Sequence, residues 1–285
     1  LNSVKVVLGF LELAFALKFL SNVDLAYHLG ILDREVFLVI WIVLFALLGM
    51  YLLGKIKFSH DSDVPYVSIP RLVLAVACFS FSLYMVPGLW GAPLKAISAF
   101  SPPQETQDFD LSKTSYSGAP AIEQTPGKKY ADLFHCPHGL NCFFDYEEGM
   151  AFAKKMNKPV FIDFTGHACG NCRKMEASVW SDPEVLKLFN NDYVLISLYV
   201  DDKTELPENE KYVSPVTQKK IKTIGNKWSD IQTTKYGINS QPYYVILDHE
   251  GNKLVNPQAF NLDIQNYVNF LDSGKAAFAA KKTVQ

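Results

Sequence analysis

Cys169 and Cys172 stand three residues apart, directly after the apolar run Pro159 to Phe164 and at the start of a stretch with helical spacing. That placement suits thiol chemistry. A cysteine at a helix N-terminus meets free backbone N–H groups and the positive end of the macrodipole, which favour its thiolate. The second cysteine lies nearly one turn further on, so its sulfur can reach the first. Cys169 can then open a disulfide by nucleophilic attack, and Cys172 can release the product. Arg173 and Lys174 add positive charge beside the pair, and a protonated His167 would favour the thiolate as well. Two other readings compete, an inert structural disulfide and half of a zinc site. Zinc would need two further ligands, which His135, Cys136, His138 and Cys142 offer on paper. The strand–C-x-x-C–helix order favours redox exchange, and no metal is expected.

The elements that must position this pair read as alternating strands and helices. Asp145 to Met156 is an amphipathic helix, and Pro159 to Phe164 a buried strand. Cys169 to Trp180 reads as a helix, and Ser181-Asp182-Pro183-Glu184 starts another. Tyr193 to Val200 is a strand. Ile224 to Tyr236 is helical, with Gly237 as its stop. Tyr243 to Leu247 is a strand that turns at Asp248-His249-Glu250-Gly251 into a partner near Lys253 to Val255. Leu262 to Leu271 closes the domain as a helix. This order predicts an α/β domain around a central mixed sheet flanked by helices.

Upstream the composition changes. Three segments, about 4–20, 36–54 and 69–89, approach the roughly 20 apolar residues that span a bilayer. The first carries Lys5, Glu12 and Lys18. Glu12 is read either as a carboxyl group turned toward neighbouring helices or as part of a proton or conduction path. The loop Asn22 to Glu35 has one strong base, whereas Lys55 to Arg71 has Lys55, Lys57 and Arg71, so the second loop is expected in the cytoplasm. Everything after the third span is then extracytoplasmic, which agrees with cysteines in close pairs. Residues 1–100 are thus expected to form an all-α transmembrane region, with Trp90 at the interface. Residues 101–128, rich in Ser, Pro, Gln and Thr, are expected to be a flexible linker, and 129–285 the soluble domain. A net charge of −2 without a basic run gives no reason to expect nucleic acid. The chain opens at Leu1 and is apolar almost at once, which suggests further sequence upstream, or else a processed terminus.

The segments Lys158 to Phe164, Cys169-Gly170-Asn171-Cys172-Arg173-Lys174-Met175-Glu176 and Ser181 to Val185, with Gln241-Pro242 before a strand, resemble the C-terminal thioredoxin-like domain of the DsbD family. The likeness extends over the membrane helices and linker. It implies a membrane protein-disulfide reductase of the bacterial inner membrane whose thioredoxin-like domain faces the periplasm. In that family, electrons pass from an intramembrane cysteine pair to this domain, then to periplasmic thiol and disulfide proteins that serve disulfide isomerisation and cytochrome c maturation. The resemblance implies that Asp163 and Glu176 are acidic groups beside the cysteines. Physically, an ionised carboxylate there raises thiol pKa values and can accept a proton from Cys172. It further implies a cis Pro242 beside the disulfide, with Gln241, Gly170, Asn171 and His167 on the substrate-facing side. No cofactor is expected beyond the Cys169–Cys172 disulfide.

Departures from the pattern are visible too. Ala168 stands where thioredoxins carry Trp, and Lys203 to Ile221 is a long insertion that could form a partner-contacting hairpin. Cys78 is single, so the intramembrane cysteine pair is expected in sequence upstream. Cys136 and Cys142 are read first as a local structural disulfide, then as free thiols or a second redox or metal site.

Overall fold

A computed structural model describes residues 2–59, 61–109, 111 and 127–282. The chain divides into two compact units, 1–25 with 29–119, and 26–28 with 120–285.

The first unit is helical: α1 Asn2–Tyr27, α2 Arg34–Leu52 and α3 Ile69–Met85, the last continued by a 3-10 turn, Val86–Trp90. All three segments are long and apolar enough to cross a membrane. α1 exposes Val4, Leu8, Phe19 and Leu20, a surface suited to lipid or to further helices. Glu12 lies on the exposed side of α1 and not between the described helices. The interior gathers Phe37, Leu38, Trp41, Met85, Leu94 and Ile97. Trp41 donates its indole N–H to the Ala14 carbonyl (3.2 Å), which satisfies a polar atom that burial would otherwise penalise.

The start of the expected linker departs from that expectation. Buried Arg34 donates to the Pro102 carbonyl (2.6 Å) and to Ser101 Oγ (3.0 Å). Gln107 donates to the carbonyls of Gly88 (3.1 Å) and Leu89 (2.8 Å). Residues 101–107 are therefore tied to the helices, because they supply acceptors to a buried guanidinium and a donor to carbonyls at the end of the third helical segment. Most of the remaining linker, 112–126, lies outside the described residues.

The second unit is built on a five-stranded sheet. Its strands are β1 Cys142–Phe143, β2 Val160–Thr165, β3 Val194–Tyr199, β6 Tyr243–Leu247 and β7 Gln258–Ala259, in the order β1-β3-β2-β6-β7. β1, β3 and β2 run parallel, β6 runs antiparallel to β2, and β7 antiparallel to β6. β4 Tyr212–Val213 and β5 Lys220–Ile221 form a separate two-stranded hairpin within the 203–221 insertion. The flanking helices are α4 Tyr146–Met156, α5 Gly170–Met175, α6 Pro183–Asp192, α7 Ile224–Tyr236 and α8 Ile264–Lys282. β2 is the hub, with all six residues buried between β3 and β6. Its side chains alternate between the two faces. Phe161 packs on Trp180 and Phe189, toward α5 and α6, while Phe164 meets Tyr236 of α7. Asp163 and Thr165 share the face of Phe161, so the alternation sets them under α5.

Local signals stop and start these helices. Asp145 caps α4 by accepting from the N–H groups of Glu147 and Glu148, and Asp182 caps α6 through Glu184 N–H. Each such cap contributes about 1 kcal/mol. Gly237 ends α7 at φ +70°, a conformation L side chains adopt with strain. Three expectations are corrected. The helix expected from Cys169 to Trp180 widens after Met175 into a π turn, Glu176–Trp180. The partner expected at Lys253 to Val255 makes a single bridge, Leu247 with Lys253, and the strand paired with β6 is Gln258–Ala259. The closing helix runs on to Lys282.

Cys136 and Cys142 are joined in a disulfide six residues apart in sequence, just before and at β1. Replacing both by Ser is expected to destabilise the domain by about 2 kcal/mol, the loop-closure entropy of so short a ring. A lower urea midpoint with disulfide exchange retained is the expected result. Loss of exchange at an unchanged midpoint would make the pair a second redox centre.

Candidate active site

The register of the sheet decides where the chemistry gathers. Thr165 at the end of β2 pairs with Tyr199 at the end of the parallel β3. Tyr243 at the start of antiparallel β6 pairs with Phe164. Three chain segments therefore leave or enter the sheet at one end: 166–169 after β2, 200–202 after β3, and Gln241-Pro242 before β6.

Cys169 is the N-cap of α5. Its sulfur accepts the Cys172 N–H at 3.1 Å, the contact by which a helix N-terminus favours a thiolate. The Cys169 N–H closes a turn on the Gly166 carbonyl at 3.2 Å. The two cysteines form a disulfide with a Cα–Cα distance of 5.2 Å. They differ in access: Cys169 is half-buried, whereas Cys172 is 2% exposed. An incoming sulfur meets Cys169 first.

Under α5 lies a buried polar group of five. Asp163 is 4% exposed and accepts from Ser197 Oγ at 3.2 Å. Burial pushes its carboxyl up to about 7, against the opposing pull of the Arg173 charge and the Ser197 hydroxyl. Arg173 is itself buried; its Nη2 lies 2.7 Å from Glu176 Oε1 and donates to Thr165 Oγ1 at 3.2 Å. The positive charge expected beside Cys169 from Arg173 is thus engaged by Glu176, and Glu176 is an ion-pair partner rather than a lone carboxylate. Lys174 is half-buried on the same helix.

His167 is corrected as well. It was expected on the substrate-facing side, yet the ring is buried. It lies against Tyr199 and Phe134, with Nε2 3.0 Å from Asp202 Oδ2. His28, which groups with this unit, also reaches that oxygen, at 2.7 Å. The three ligand-type atoms lie within 4.8 Å of one another. Two imidazoles donating to one carboxylate oxygen satisfy the group as hydrogen bonds. Burial works against the Asp202 charge, but bonds from His167, His28 and the Thr204 N–H outweigh it and hold the carboxyl well below the usual range.

Gln241-Pro242 is a cis peptide; Pro242 is buried, and Gln241 donates to Gln232 Oε1 at 2.7 Å. Gly170 is half-buried and Asn171 exposed, next to the reachable cysteine. Cys136 and Cys142 bond to each other, so neither is a free zinc ligand, and His138 Nε2 lies 2.7 Å from the Glu176 carbonyl. Of the expected site residues, Cys169, Cys172, Asp163 and Glu176 belong to one helix and the sheet face beneath it. Gln241 and Pro242 join them at the strand ends.

A family model described as thioredoxin-like matches residues 141–219, from β1 through the C-x-x-C helix to the hairpin. The domain is thioredoxin-like. The mixed sheet, the helices on its faces and the cysteine pair at the end of β2 follow that pattern. Among solved structures, the chain is similar to a DsbH oxidoreductase at 20% identity, covering 47% of this chain and 85% of that one, with a TM-score of 0.37. It is similar to a thioredoxin from Thermus thermophilus at 21% identity, covering 45% and 82%, with a TM-score of 0.33. It is also similar to the C-terminal domain of DsbD from Neisseria meningitidis in the reduced form, at 18% identity, covering 45% and 92%, with a TM-score of 0.31. No curated protein matches the chain.

Sequence reasoning missed Thr165, Asp201 and Asp202. A signal for the two aspartates was present: they follow the strand that must pair with β2, so parallel pairing sets them beside the residues that follow β2.

Proposed function

We propose that this protein is a membrane-anchored thiol:disulfide oxidoreductase that works as a protein-disulfide reductase. The observation that carries the reading is the asymmetry of the pair: Cys169 reachable and capping a helix N-terminus, Cys172 buried, with the buried Asp163 carboxyl on the sheet face toward the same helix. In the reduced protein, the Cys169 thiolate attacks one sulfur of a substrate disulfide. The S–S bond breaks, a mixed disulfide forms, and the leaving substrate thiolate takes a proton. Cys172 then gives up its proton, for which Asp163 is the acceptor, and attacks the Cys169 sulfur. The second substrate thiol leaves, and the protein keeps the Cys169–Cys172 disulfide. Two electrons have passed to the substrate.

Regeneration needs an electron donor of the same chemistry, a thiol pair. We propose the intramembrane cysteine pair of a DsbD-like relay, upstream in the same protein. The proposed partners are periplasmic thiol and disulfide proteins, including those of disulfide isomerisation and cytochrome c maturation. Three apolar helices support anchoring, and Lys55 and Lys57 in the loop between α2 and α3, with Arg71 in the first turn of α3, support an extracytoplasmic domain at a bacterial inner membrane. No cofactor beyond the dithiol is part of this proposal.

The direction of flow is tested by the reduction potential of Cys169–Cys172 in the full chain in detergent, equilibrated against dithiothreitol or glutathione and read by thiol trapping. A value near or below roughly −270 mV, that of thioredoxin, is expected for an electron donor. A value between roughly −180 and −120 mV belongs to isomerases and oxidases, and would reverse the proposed flow.

A further inference from the structure

We propose that Asp201 is a positioning residue for the attacking cysteine, holding the loop before Cys169 in the geometry from which its sulfur reaches a partner disulfide. The proposal rests on the disulfide-exchange reading and adds a group that touches neither the substrate nor the dithiol. The Asp201 carboxylate faces two consecutive backbone donors. His167 N–H donates to Oδ1 at 2.8 Å and Ala168 N–H to Oδ2 at 2.9 Å. Bonds to an ionised acceptor are strong and directional, and two of them from adjacent peptides fix both peptide planes.

The rest of the loop is tied at its ends. Val200 N–H donates to the Thr165 carbonyl at 2.9 Å, which fixes the last residue of β2 immediately before the loop. Cys169 N–H returns to the Gly166 carbonyl, and the His167 ring is held by Asp202. Ala168, exposed and without a long side chain, has no means of anchoring itself except through its backbone.

Gly166 supplies an independent observation. A Cβ built there would stand 2.9 Å from Asp201 Oδ2 and 3.0 Å from both Cγ and Oδ1. The carboxylate occupies the volume that any side chain at position 166 would need. Glycine at 166 and aspartate at 201 are therefore one device, and a methyl group at 166 should displace the carboxylate much as deleting it does. Misplacement of a reacting atom by an ångström can cost up to roughly a hundredfold in rate.

The test uses the full chain in detergent with Asp201→Ala, Asp201→Asn, Gly166→Ala and the double variant Gly166→Ala/Asp201→Ala. Two rates are read on the reduced protein across pH: attack on insulin disulfides and alkylation of Cys169 by iodoacetamide, a small probe that needs no orientation. On the high-pH plateau, where Cys169 is fully thiolate, Asp201→Ala is expected to slow attack on insulin about tenfold and leave alkylation unchanged. Asp201→Asn, which keeps one acceptor, should fall in between. Gly166→Ala should match Asp201→Ala, and adding it to Asp201→Ala should cost less than a further twofold, since the atoms it strikes are gone. Attack on insulin at the parental rate in Asp201→Ala overturns the proposal. Effects of Gly166→Ala and Asp201→Ala that multiply overturn it too, since the two residues would then act separately. A parallel fall in both rates points to a lost fold or buried thiol and also overturns it. If the parent protein attacks insulin no faster than Cys169→Ser does, the exchange reading itself has failed; that outcome is separate from the others because it needs no Asp201 variant.

Discussion

Cys172→Ser is expected to accumulate a stable mixed disulfide between Cys169 and its partner, whereas Cys169→Ser forms none and loses exchange by roughly a thousandfold or more. The asymmetry follows from access. Only Cys169 is reachable from outside, and only it sits at the N-cap, where the Cys172 N–H points at its sulfur. Cys172, 2% exposed, can attack nothing but the Cys169 sulfur. Non-reducing electrophoresis and mass measurement of trapped adducts distinguish the two variants. Equal trapping by both would mean that Cys172 is exposed during turnover, and the proposed order of attack would be wrong. Exchange by the parent no faster than by Cys169→Ser would leave the chain a membrane-anchored binding module with an idle dithiol.

The second large effect concerns Asp163. Its carboxyl has a folded-state pKa of about 7 against an ordinary 3.8, because burial disfavours the charge more than Arg173 and Ser197 favour it. A carboxyl raised in this way stabilises the fold relative to the unfolded chain only while it stays protonated. Its contribution is complete below about pH 4 and is lost progressively as pH rises through 7. A difference of about three pKa units corresponds to about 4 kcal/mol at pH 8 and above. Asp163→Asn, which cannot ionise, is therefore expected to be more stable than the parent at pH 8 by up to this amount, and no more stable at pH 4. Hydrogen exchange of the β2 amides across this pH range reads the difference, since those amides open only when the sheet does. A pH-independent gain would mean that the carboxyl titrates at its ordinary value. The same variant should resolve mixed disulfides more slowly, having lost the proposed acceptor for the Cys172 proton.

The chemistry was legible because it is local. Two cysteines three apart, after an apolar run and before a helical one, carry their meaning in a dozen consecutive residues. The three apolar segments, the helix start at Asp182 and the stop at Gly237 were legible for the same reason: each signal acts within one or two helical turns. β1 escaped notice because two residues, Cys142 and Phe143, cannot show a period. The partner of β6 was displaced to Gln258–Ala259 because a short edge strand is chosen by what the sheet leaves unpaired, not by its own composition.

The electrostatics of the site could not be read from spacing. Sequence placed Arg173, Glu176, His167 and Asp163 near the dithiol but could not say which charges cancel. In the folded domain Arg173 and Glu176 pair with each other, His167 turns inward to Asp202, and Asp163 is buried beneath. Asp201 and Asp202 enter the site from more than thirty residues away, solely because β3 lies parallel to β2 and ends beside it. The candidate reacting groups and the elements that carry them could be read locally, since helix caps, apolar periods and C-x-x-C act over a few residues. Which carboxylates are paired and which hold the loop depends on strand order and burial, where residues distant in sequence share one low-dielectric space.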